Sequence, residues 1–143
     1  MTIKQLTVFV KNSKGSLVDL SNLLAQNNIT IRALSVAETQ EFGMLRLIVN
    51  DVEKATKVLE ENNYLIKAVD VIGIKISDKP GGLAQALSAL DKADINVEYM
   101  YAFMMCCENG AYVVIRVADN NSAKLALESA GLELMSEEDV SDL

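Results

Sequence analysis

Asn12-Ser13-Lys14-Gly15-Ser16-Leu17 and Asp78-Lys79-Pro80-Gly81-Gly82-Leu83 are two versions of one turn. Each follows an apolar, β-prone run and opens a helical pattern. Glycine there lets the chain swing and lets a ligand approach the backbone. The first N–H groups of the following helix have no acceptor within it and sit at the positive end of its dipole, which suits a carboxylate. Asn12 and Asp78, three residues before the glycine, offer side-chain oxygens to an ammonium group. Donors on one side and an acceptor on the other match the two charged groups of an α-amino acid. The same residues also make an ordinary strand-to-helix turn, with Asp78 or Ser13 capping the helix and Pro80 fixing φ. Both readings stand at this point.

Other chemistries find little material. The chain has no histidine, so the usual general base and the commonest transition-metal ligand are missing. Its two cysteines, Cys106 and Cys107, are adjacent. On a strand they would point to opposite faces, which is poor chelating geometry and points to plain reduced thiols. The carboxylate pairs Glu60-Glu61 and Glu137-Glu138 read as solvated surface. An acylphosphatase-like site would need an arginine in the first turn, and a heavy-metal carrier would need C-x-x-C there; neither turn has them. The expectation is no catalytic residue, no metal and no cofactor. A net charge of −7 without a basic cluster argues against nucleic acid. No apolar run approaches the length of a membrane span, and the N-terminus lacks a signal-peptide pattern, so the expected location is cytoplasmic.

The elements that position the turns follow from periodicity. Ile3 to Lys11 alternates Leu6, Val8 and Val10 with Thr7 and Phe9, a strand. Leu17, Leu20 and Leu24 then mark an amphipathic helix from about Gly15 to Asn27, with Ser13 or Ser16 available as its cap. Ile29 to Ala37 is a second strand, Glu38 to Gly43 a hairpin turn, and Leu45, Leu47 and Val49 mark a third strand. Asn50 and Glu53 have capping-box spacing before a helix of roughly residues 51–62. Tyr64 to Val69 is a short strand. The series then repeats: a strand over Val71 to Ser77, a helix bearing Leu83, Leu87 and Leu90, and a strand starting at Asp94. A hairpin follows at Glu108-Asn109-Gly110, then a strand bearing Val113, Ile115 and Val117. A helix capped near Asp119 stops at Gly131, before a brief strand over Leu132 to Met135 and an acidic tail from Ser136.

The halves align at an offset of 66 residues (81 − 15), shifting by one or two past the hairpin. The order β-α-β-β-α-β, occurring twice, predicts an α+β protein of two ferredoxin-like sandwiches in tandem. Each would be an antiparallel sheet with both helices on one face. The boundary is placed near Val69-Asp70, giving domains 1–69 and 70–143 with almost no linker.

This order, with N/D-x-x-G-x-L at the first turn and Asn28-Ile29 or Asp94-Ile95 at the onset of the second strand, resembles the ACT domain family. The chain looks like a stand-alone tandem ACT protein, and the resemblance covers essentially all of it. It implies regulatory binding of amino acids or similar metabolites, and assembly as a homodimer or higher homo-oligomer acting on a regulated protein partner. Carried over by position, the ligand-binding candidates are Asn12, Lys14, Gly15, Ser16 and Leu17, with Asp78, Pro80, Gly81, Gly82 and Leu83 in the second half. Asn28, Ile29, Asp94 and Ile95 would line the sites from a neighbouring domain. Lys14 stands where the second copy has Pro80, so two unequal sites are expected, the second closer to the family pattern. The competing expectation is an interaction module without a ligand, using Val71, Met100, Met104 and Met105 as an adaptable apolar surface.

Overall fold

The computed structural model describes residues 1–38, 41–108 and 110–143, with the side chains of residues 106 and 107 outside that description. The elements are β1 (Ile3–Lys11), α1 (Ser16–Gln26), β2 (Ile31–Glu38), β3 (Phe42–Val49), α2 (Val52–Glu61) and β4 (Leu65–Ile76). They continue as α3 (Gly82–Lys92), β5 (Tyr99–Cys107), β6 (Gly110–Arg116), α4 (Asn120–Ser129), β7 (Glu133–Leu134) and α5 (Glu137–Asp142). The chain divides into two compact units, Lys4–Val69 with Val140–Leu143, and Asp70–Asp139 with Met1–Ile3.

In the first unit β3 lies antiparallel to both β1 and β2, with Leu6 opposite Leu47 and Leu34 opposite Leu47 from the other side. β1 also pairs with β4. The alternation Leu6, Val8, Val10 of β1 and Leu45, Leu47, Val49 of β3 meets Leu20 and Leu24 of α1 and Ala55, Val58 and Leu59 of α2 in one core. In the second unit β6 lies antiparallel to β5 and β4, and β4 to β7. Ile72, Ile74 and Ile76, with Val113 and Ile115, meet Ala86, Leu90, Ala123 and Leu127.

The repeat is written in the backbone as well. Each main helix is followed by one residue in the left-handed region: Asn28 after α1, Asn63 after α2, Asp94 after α3 and Gly131 after α4. Such residues turn the chain out of a helix and let the next amides cap its carbonyls.

Several expectations are corrected. The strands expected on either side of Val69-Asp70 are one continuous β4, because nothing at that point breaks an extended chain and the Asp70 carbonyl accepts from Arg116 Nη1 and Asn120 Nδ2. The cap of α2 is Asp51, which accepts from the Lys54 amide at 3.1 Å, while Asn50 accepts from the Thr30 amide at 2.8 Å. β5 starts at Tyr99 rather than Asp94. The acidic tail is a helix: Ser136 and Asp139 cap reciprocally, Val140 is buried, and Arg32 donates to the carbonyls of Val140 and Ser141. Val71 is fully buried and Met100 packs on the second core, so neither belongs to an exposed surface. The hairpin turns fall partly, at Thr39, Gln40 and Asn109, outside the described residues, as do the cysteine side chains.

Candidate functional site

The two turns differ from every other helix start in the fold. α2 and α4 begin at Asp51 and Asp119, whose carboxylates accept from Lys54 N and Ser122 N. α1 and α3 begin at Gly15 (φ 89°) and Gly81 (φ 91°), and no side chain caps either helix. Neither Ser13 nor Ser16 caps α1: their hydroxyls lie 2.9 Å from each other. Backbone bonds from Ser16 N to Ser13 O and from Gly82 N to Lys79 O close the turns. The next two amides, of Leu17 and Val18 and of Leu83 and Ala84, have no acceptor within their helices. A Cβ on either glycine would meet nothing within 4 Å.

At the first turn Val10, Lys11, Asn12, Ser13, Ser16, Leu17, Val36, Glu38 and Gly43 line a cavity of about 180 Å³. Leu17 is 48% exposed and Leu83 38%, so both stand off the cores, where their spacing had allowed them. Glu38 is the residue sequence reasoning missed, having been read into a polar hairpin. Strand register supplies it: Val10 is opposite Gly43, and Gly43 is opposite Glu38. Glu38 thereby reaches the end of β1, where its Oε1 accepts from Asn12 Nδ2 at 3.3 Å.

In the second unit Ile76 is opposite Ala111, and Ala111 opposite Cys106, so the place of Glu38 is held by Cys106. The residue at the place of Asn12 is Asp78. Each turn thus carries one carboxylate, from β2 in the first and from the turn itself in the second. The turns differ again at Gly82, where a Cβ would come 2.0 Å from the Ser77 carbonyl oxygen. The equivalent residue of the first turn, Ser16, carries a Cβ.

The remaining candidates lie elsewhere in each unit. Asn28 and Ile29 close the far end of α1, with Ile29 N bonded to Leu24 O and its side chain buried. Asp94 and Ile95 close α3 in the same way, with Ile95 N bonded to Leu90 O and its side chain partly buried. An eleven-residue helix separates each pair from its own turn by roughly 16 Å. Lys14 and Pro80 are exposed on the turns. Among the described residues no three His, Cys, Asp or Glu side chains converge as a metal site, and no helix is long and apolar enough to cross a membrane.

A family model described as an ACT domain pair matches residues 1–143. A Bacteroides thetaiotaomicron protein of known crystal structure is 36% identical, with a TM-score of 0.92 over 100% of this chain and 98% of that one. The ligand-free regulatory subunit of aspartate kinase from Thermus thermophilus superposes with a TM-score of 0.64 at 15% identity, covering 90% of this chain and 89% of that one. Its counterpart from Thermus flavus gives 0.58 at 17% identity, covering 90% and 92%. No curated protein matches the sequence. On the full-length family match and the 36% identity, the chain belongs to the family of ACT domain pairs.

Proposed function

We propose that the protein is a non-catalytic regulatory module that binds an amino acid or a similar small metabolite at its β1–α1 and β4–α3 turns. Its domains, 1–69 and 70–143, are two ferredoxin-like sandwiches, each with its helices on one face of an antiparallel sheet. The module works in the cytoplasm as a homodimer or higher homo-oligomer and passes occupancy to a protein partner. Asn28, Ile29, Asp94 and Ile95 reach a ligand only from a neighbouring domain, so a complete site needs more than one domain.

The observation that carries this reading is the contrast between helix starts. Two helices are capped by their own aspartates, and the two at the repeated turn are left with free amides beside one carboxylate each. Open helix amides suit a carboxylate, and Glu38 or Asp78 suits an ammonium. The exposed Met104 and Met105 favour the alternative, an interaction module without a ligand.

A panel of amino acids titrated by calorimetry and thermal shift tests the proposal. At least one is expected to bind, and Leu17→Glu is expected to weaken it about tenfold or more at the first turn. The added carboxylate repels the ligand's own, while a helix start tolerates an acid. A panel that shifts neither the heat nor the melting temperature refutes the reading.

A further inference from the structure

A second cavity, of about 360 Å³, lies on the first unit beside the turn. Phe9, Phe42, Tyr64 and Leu65 give it an apolar wall, and Asp19 and Lys11 are its charged members. Phe42 is 51% exposed and Leu65 69%. Packing of the first core does not require these exposed groups, and the second unit shows as much. At the positions of Phe9 and Leu65 it has Lys75 and Glu133, paired across β4 and β7 with Nζ 3.7 Å from Oε2. At those of Phe42, Tyr64 and Asp19 it has Gly110, Leu132 and Gln85. The same fold therefore carries an exposed ion pair at this place in one unit and an apolar wall with one carboxylate and one lysine in the other.

We propose that this cavity binds an organic ammonium compound with an aromatic body. Aromatic faces attract a cation through their quadrupole, and one carboxylate neutralises one positive charge. The Tyr64 phenol, pushed above its ordinary pKa by burial and then by the Asp19 carboxylate, stays protonated and polar at neutral pH. Lys11 is exposed and borders the turn cavity as well. The site is distinguished from the turn cavity by its lining: Asp19, Phe42 and Tyr64 border this cavity and not the turn's, Leu17 borders the turn's and not this one, and Val10, Lys11 and Ser16 border both.

The test uses the full chain and two probes of one shape, phenethylamine and hydrocinnamate, with calorimetry and amide NMR shifts. Phenethylamine is expected to bind at least tenfold more tightly than hydrocinnamate and to shift Tyr64. Asp19→Asn and Phe42→Ala are each expected to weaken it about tenfold, whereas Leu17→Glu leaves it unchanged. Asp19 and Phe42 are exposed, so both variants fold. Absence of phenethylamine binding, equal binding of both probes, or indifference to Asp19→Asn overturns the proposal. None of these outcomes bears on amino-acid binding at the turns.

Discussion

Adding one methyl group at two neighbouring glycines separates a conformational cost from a steric one. At Gly81 a Cβ meets nothing within 4 Å, so alanine is penalised only for φ 91°. A left-handed residue with a Cβ costs about 1–2 kcal/mol. At Gly82 the Cβ would lie 2.0 Å from the Ser77 oxygen and 2.9 Å from its carbonyl carbon. Both are backbone atoms, so no side chain can swing away and the end of β4 must move. Overpacking of this kind costs about 3 kcal/mol or more. At about 4 °C per kcal/mol, Gly81→Ala lowers Tm by roughly 4–8 °C, and Gly82→Ala by about 12 °C or more. Urea unfolding followed by circular dichroism, with m-values compared to confirm a common transition, measures both. Ser16→Gly, the exchange in the other direction at the first turn, is expected to change stability by less than about 1 kcal/mol. If Gly82→Ala is no worse than Gly81→Ala, the close strand-to-helix approach at the second turn is wrong, and with it the steric inequality of the two turns.

Two further tests address the helix ends. Asp119 is held below the usual carboxylate range by the Ser122 hydroxyl and then by the Ser122 amide. Its contribution to stability is therefore complete above the ordinary aspartate pKa and is lost as pH falls through the lower folded value. Ser122→Ala is expected to move the Asp119 titration, followed by carboxyl NMR, back toward the ordinary value; an Asp119 that titrates normally in the unaltered chain refutes the cap. Val140 is buried, and Val140→Ala is expected to cost about 2 kcal/mol. Because Val140–Leu143 belongs with Lys4–Val69 and its carbonyls accept from Arg32, hydrogen exchange is expected to rise at amides of β2. Unchanged protection there means that the chain end contributes nothing to the first unit.

Most elements were legible because their signals are local. Alternation marked β1, β3, β4 and β6, and the two glycine turns marked the starts of α1 and α3. The misses have physical reasons. Leu17 shares a helical stripe with Leu20 and Leu24, and periodicity cannot tell that the first turn of α1 overhangs the core and opens on the cavity. Val69-Asp70-Val71 contains no glycine, proline or asparagine, so a strand boundary there rested on counting residues, and the chain runs straight through. Ser136 and Asp139 had capping-box spacing ahead of an apolar Val140, a signal hidden within an acidic composition.

Glu38 illustrates a different kind of miss, since no local pattern contains it. Its relation to Asn12 exists only once β3 is seated between β1 and β2 with Gly43 opposite both Val10 and Glu38. That glycine matters to the pairing: a Cβ at Gly43 would lie 3.3 Å from Val10 Cγ2. The second unit lacks both halves of the arrangement, with Ala111 and Cys106 in their places, yet it keeps a negative charge through Asp78. Sequence alignment of the halves sets Asn12 against Asp78, with a carboxylate in one turn only. Strand register shows a carboxylate supplied at each turn by a different element. A carboxylate at each turn suits the proposed ammonium-binding role, whereas a turn serving only as a connection would have no use for it.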